Sequence, residues 1–196
     1  GSASNITTVN LTGVTGDTIN LVDVLTAVVN GDAGINSFTI ALTGAASGNF
    51  VLDAGANVNF TGIGSIVFNG GTGAAGDSLV VSGDGMVSGS YTPSAATAGS
   101  GTMQIAGGLA VQFTGLEPLT VSNMAAFTFV TPGSEDALTI DNPAAGQNRI
   151  SGTSNGVPFE ALTFFDIADF TIDTAVNDGI SPNDSITIDP VGMVAS

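Results

Sequence analysis

The apolar positions of this chain recur in one pattern. In Val111-Gln112-Phe113-Thr114-Gly115-Leu116-Glu117-Pro118-Leu119-Thr120-Val121 the apolar residues stand at steps of two, three, three and two. The same spacing runs from Val58 through Phe60, Ile63 and Ile66 to Phe68, and from Val157 through Phe159, Leu162 and Phe165 to Ile167. A step of two specifies a strand, and the steps of three shift the phase before the alternation resumes. The pattern predicts strand, corner, strand. Val111, Phe113, Leu116, Leu119 and Val121 should face inward, Gly115 should occupy the turn, and Gln112, Thr114 and Glu117 should face water.

A second pattern, Asp or Asn followed by a small residue and two alternating apolar residues, interleaves with the first. It reads Asn36-Ser37-Phe38-Thr39-Ile40, Asp77-Ser78-Leu79-Val80-Val81, Asp136-Ala137-Leu138-Thr139-Ile140 and Asp184-Ser185-Ile186-Thr187-Ile188. These anchors divide a repeat domain, residues 36–196, into copies at 36–76, 77–135 and 136–183 and a stub at 184–196. Residues 1–35 form an N-terminal cap or edge segment. In it, apolar residues at 21, 22, 25, 28 and 29 have helical spacing, while the β-branched content favours strand; the expectation is a short helix or irregular cap. Further short strands are expected at Phe50-Val51-Leu52, Met103-Gln104-Ile105, Arg149-Ile150-Ser151, Phe127-Thr128-Phe129-Val130 and Phe170-Thr171-Ile172. Thr92 to Gly101 reads as a flexible surface loop.

Many short strands and turns imply an all-β fold. The leading architecture is a repeat-built parallel β-helix, a solenoid with an N-terminal cap. The alternative is an antiparallel β-sandwich.

Composition narrows the chemistry. Seventeen acids face one base, Arg149, for a net charge of −16, and His and Cys are both missing. A chain with one cation cannot neutralise phosphates, which excludes nucleic acid, and no run is apolar enough for membrane insertion. Fourteen of the acids are Asp, the residue of turns and Ca²⁺ ligation. The eleven Phe sit largely at inward template positions and read as core, leaving one Tyr and no Trp to make a sugar platform.

Each motif with possible chemistry has a plainer reading. Gly76-Asp77-Ser78-Leu79 spells a hydrolase nucleophile block, but that mechanism needs a His base. Gly70 to Leu79 resembles one Ca²⁺-binding nonapeptide, with Ala75 where its Asp should stand. The anchor carboxylates Asp77, Asp136 and Asp184 occupy one repeat position and should be structurally equivalent. They are turn caps on one reading and Ca²⁺ ligands on the other, with Glu135, Asp178 or Asn183 as neighbours. The metal candidates are thus Asp77, Asp136, Asp184 and Asp178. Asp166, Asp169, Asp173 and Asp178 form the densest acidic run, a solvated face or a cation site.

The anchors, the strand–turn–strand units and the Val111–Val121 stretch together resemble the β-strand repeats of large bacterial surface proteins, adhesin stalks and surface-layer-like proteins. The likeness spans residues 36 to 188. The third copy departs from it, with Glu160-Ala161 in place of Thr-Gly. The resemblance implies a secreted structural module, often with Ca²⁺ nearby, and no catalytic residues.

The expectation is therefore a non-catalytic structural module of an extracellular, cell-surface protein, serving extension, assembly or adhesion. It requires no cofactor, Ca²⁺ being the one candidate. Its partners are itself or neighbouring repeats end to end, with the natural chain continuing beyond the stub or subunits stacking. A glycan- or protein-binding adhesin module is the alternative, and a polysaccharide-active β-helix enzyme the third reading.

Overall fold

A computed structural model describes residues 8–12, 18–71, 76–179, 183–189 and 193–194. The N-terminal segment supplies β1 (Thr8–Thr12), β2 (Ile19–Val22) and β3 (Thr26–Asn30). The first copy supplies β4 (Ser37–Gly44), β5 (Ser47–Leu52), β6 (Val58–Thr61) and β7 (Ser65–Asn69). The second holds β8 (Ser78–Ser82), β9 (Ser88–Pro93), β10 (Gly101–Ile105), β11 (Ala110–Thr114), β12 (Leu119–Met124) and β13 (Ala126–Val130). The third holds β14 (Asp136–Asp141), β15 (Asn148–Ser154), β16 (Val157–Pro158), β17 (Leu162–Ile167) and β18 (Phe170–Asp173), and β19 (Ser185–Ile188) follows.

The helix or irregular cap expected between residues 19 and 29 is instead two strands, β2 and β3. Parallel pairing to β6 and β7 gives these β-branched residues ladder partners, and tertiary context overrides the helical spacing.

The strands form two mixed sheets, and neither closes into a barrel. The eight-stranded sheet has the order β1-β3-β7-β11-β10-β9-β13-β18. The eleven-stranded sheet has the order β19-β14-β15-β17-β12-β8-β4-β5-β6-β2, with β16 beside β15. The pairing is neither all parallel nor all antiparallel. Hairpins such as β4–β5 and β14–β15 are antiparallel. Most parallel partners come from positions about forty residues apart, as when Ser37 faces Ser78 and Leu79 faces Leu119.

Between the sheets lies one core, crossed by aromatic contacts. Phe38 of β4 stacks on Phe68 of β7 with ring centroids 4.6 Å apart, and Phe164 of β17 stacks on Phe170 of β18 at 3.7 Å. Nine of the eleven Phe are buried, each contributing about 1.5–3 kcal/mol, so they are core and not a ligand platform.

The recurring stretch makes its corner in the first two copies. β6 and β7 lie in different sheets, as do β11 and β12. Val111, Phe113, Leu116, Leu119 and Val121 are all buried, while Gln112, Thr114 and Glu117 are exposed. Gly62 and Gly115 occupy the corners with φ of 70° and 73°. The third copy differs: Ala161 stands in the glycine slot, and both β16 and β17 stay in the eleven-stranded sheet. A Cβ disfavours that left-handed turn.

The loop expected from Thr92 to Gly101 is shorter than its sequence suggests. Thr92 and Pro93 end β9, Gly101 opens β10, and the two strands pair as a hairpin.

Candidate functional site

Two anchor pairs share one construction. β4 and β8 are parallel neighbours, which sets Asn36 beside Asp77, and the Asn36 N–H donates to Asp77 Oδ1 at 2.7 Å. β14 and β19 are parallel neighbours as well, and the Asp136 N–H donates to Asp184 Oδ1 at 3.1 Å. In each pair a later carboxylate caps an earlier strand. The four anchors do not form one equivalent column, because β12, β17 and β15 stand between β8 and β14.

The two pairs differ in what surrounds the earlier anchor. Asn36 is buried and fully engaged. Its Nδ2 donates to Asp32 Oδ1 and to Asp53 Oδ2, each at 3.3 Å, and its Oδ1 accepts the Asp32 N–H at 3.0 Å. Asp136, only 1% exposed, has no hydrogen-bond partner for either carboxylate oxygen among the described residues. Asp178 and Asp184 each place a carboxylate oxygen near it, and the three oxygens lie within 4.8 Å of one another. Among the described residues Asp178 Oδ1 is also buried without a partner, as is Ser154 Oγ, whose residue lies opposite Asp136 in the β14–β15 register.

Asp178 is half-buried and Asp184 is exposed, so the cluster opens to solvent on one side. Loss of solvent holds the Asp178 carboxyl above the usual carboxylate range, and the charges of Asp184, Asp136 and Asp173 add to that. Arg149, the sole base, is held elsewhere: its Nε donates to Asp141 Oδ1 at 2.9 Å.

The other candidates are placed differently. Asp77 is a buried cap outside this cluster, with Gly70 packed so close that a Cβ there would lie 2.5 Å from Asp77 Oδ2. Asp173 Oδ1 accepts the N–H groups of Ala175 and Val176 at 3.0 and 3.1 Å, so of the 166–178 acidic run only Asp178 joins the triad. The Glu135 carbonyl oxygen accepts the Asn155 N–H, and the Asn183 N–H donates to the Ser134 carbonyl oxygen. Ser78 opens β8. The nonapeptide reading of Gly70 to Leu79 falls partly on residues 72–75, outside the described residues.

A buried acid and a groove were not anticipated from sequence. Glu160 is only 6% exposed, whereas Thr61 and Thr114, at the same template position, face water. Burial, then the nearby Glu117 charge, pushes the Glu160 carboxyl up to about 8. Burial also raises the Tyr91 phenol, with Glu160 adding to it, and the Tyr91 hydroxyl has no partner among the described residues. The signal was present in the Glu160-Ala161 departure from Thr-Gly. Separately, a groove of about 540 Å³ lies over the eight-stranded sheet, lined by Thr92, Ser94, Ser100, Thr102, Gln112 and Thr114 among others. Neither Glu160 nor Glu117 lines it.

No protein-family model matches the chain, and no curated protein or solved structure matches it. No helix among the described residues is long and apolar enough to cross a membrane, which says nothing of a membrane β-barrel.

Proposed function

We propose that this chain is a non-catalytic structural module of an extracellular bacterial surface protein, extending or assembling end to end with its neighbours. The supporting observation is the order of the strands. Among the described strands, the eight-stranded sheet has β1 at one edge and β18 at the other, and the eleven-stranded sheet has β2 and β19. Each sheet thus has an N-terminal strand at one edge and a C-terminal strand at the other. A head-to-tail neighbour continues both sheets at once, a heterologous contact that propagates without closing.

The parallel partners about forty residues apart support a coiled, β-helix-like path with hairpins inserted into it. Ile186 and Ile188 extend the inward rows of Leu138 and Ile140, yet are 47% and 53% exposed. They are an uncovered end of the core. The resemblance to surface-protein repeats and the scarcity of basic residues support the cell-surface setting. Light scattering across a concentration series tests assembly: mass should grow with concentration, and a strict monomer at millimolar concentration would reject it.

One observation favours the binding-module reading. Glu and Asp are missing from the strands that floor the groove, in a chain with seventeen acids. A neutral lining of hydroxyl and amide groups beside Val67, Pro93 and Phe113 suits an uncharged glycan. Saturable binding on a glycan array, lost in Gln112→Ala, is the expected result. Binding unchanged by that substitution would remove the groove from the account.

A further inference from the structure

We propose that Asp136, Asp178 and Asp184 hold one Ca²⁺-class cation that locks β19 and the turn after β18 onto β14. This inference is independent of the assembly reading.

The chain contains its own comparison. At the anchor of the first copy, the Asn36 amide meets two carboxylates, Asp32 and Asp53, and donates to both, while its backbone N–H donates to a third, Asp77. At the anchor of the third copy, Asp136 also meets two carboxylates, Asp178 and Asp184. An ionised Asp only accepts hydrogen bonds. Three acceptors converge with no donor side chain among the described residues to bridge them. A bound cation would take the place that the Asn36 amide takes in the first copy.

Burial separates this cluster from an ordinary acidic patch. A surface carboxylate leaves its charge in water, whereas Asp136 is buried with both oxygens unpartnered among the described residues, and Asp178 Oδ1 is shielded beside it. Leaving a buried charge unpaired is costly, and metal coordination is one of the few ways to satisfy it.

The geometry suits the ion. Oxygens bound to one Ca²⁺ at about 2.4 Å can stand no more than about 4.8 Å apart, which the three oxygens meet. Carboxylates are hard ligands, and the chain has neither His nor Cys to favour zinc or copper. Water can complete the shell from the exposed Asp184 side. The tolerance of Ca²⁺ for irregular oxygen shells favours it over Mg²⁺, which demands near-ideal octahedral geometry.

The site joins three chain segments. Asp136 opens β14, Asp178 lies in the turn after β18, and Asp184 immediately precedes β19. All four residues of β19 are exposed, so apolar burial does little to hold this strand. A shared cation would supply that attachment.

Calorimetric titration of the chelator-stripped chain with Ca²⁺, together with thermal melts, provides the test. One Ca²⁺ should bind per chain and raise Tm, with Mg²⁺ binding more weakly. Asp136→Asn, which recreates the Asn36 arrangement, should raise the metal-free Tm and weaken Ca²⁺ binding by about tenfold or more. If that variant does not fold, Asp178→Asn should show the same loss of affinity. Asp23→Asn removes an equal charge at the other end of the fold and should leave the Ca²⁺ response intact. No saturable binding at millimolar Ca²⁺ would overturn the proposal. So would equal Tm shifts in wild type, Asp136→Asn and Asp178→Asn, since diffuse screening of the net charge explains those. Mg²⁺ binding as tight as Ca²⁺ would overturn the choice of ion.

Discussion

Glu160 shows how one residue can fail its local pattern and leave a measurable trace. In the third copy Leu162 pairs with Leu119, which sets Glu160 beside Glu117, and the Glu160 side chain is buried where the template places Thr61 and Thr114 in water. Its carboxyl rises from 4.5 to about 8. Between those values the folded chain binds more protons at this site than the unfolded chain does, so stability falls as pH rises through that window. The penalty is absent below 4.5 and complete above 8. Glu160→Gln keeps the shape and removes the charge. It should stabilise the chain by about 1–3 kcal/mol at pH 9 and by almost nothing at pH 4. Urea unfolding at the two pH values measures this, and a pH-independent difference would show that the effect is packing alone.

At the scale of elements, the corners depend on backbone conformation. Gly115 turns with φ of 73°, and a Cβ there would meet nothing closer than 3.7 Å. Gly115→Ala should therefore cost only the left-handed strain, about 1–2 kcal/mol. Gly62 has the same φ sign, but its Cβ would also collide with Asp23 Oδ1, so Gly62→Ala should cost more. Equal losses in thermal melts would mean that the Asp23 side chain moves aside freely. These corners were legible in sequence because a phase break in apolar spacing fixes which side chains turn inward. Pairing was not legible. β6 and β11 share a template yet lie in different sheets, since spacing sets a strand's inward face and not its neighbour. The region of Ile19–Val22 and Thr26–Asn30 read ambiguously for a related reason: its apolar spacing fits a helix until β6 and β7 offer ladders. The candidate site was half legible. The repeat picked out Asp136 and Asp184 as anchors, with Asp178 as a candidate neighbour, but which of the four candidates converge depends on the β14–β19 and β13–β18 pairings, and no spacing specifies those.

For the whole molecule, charge and strand edges act in opposite directions. A net charge of −16 makes two copies repel, while in the proposed assembly β18 and β19, edge strands among the described residues, would continue the sheets. Repulsion between surface charges weakens as salt shortens the screening length to about 10 Å at 0.1 M. Assembly should therefore strengthen with added NaCl, through screening alone. Replacing Ile186 and Ile188 with Lys separates the two influences. The double variant carries less net negative charge, so if repulsion alone governed association it would assemble more readily. If the exposed ends of the Leu138 and Ile140 rows are the docking surface, two lysines there block it, as charges do on edge strands of monomeric proteins. Light scattering at matched salt should find the variant monomeric where the parent chain associates, and increased association of the variant would reject the edge as the interface.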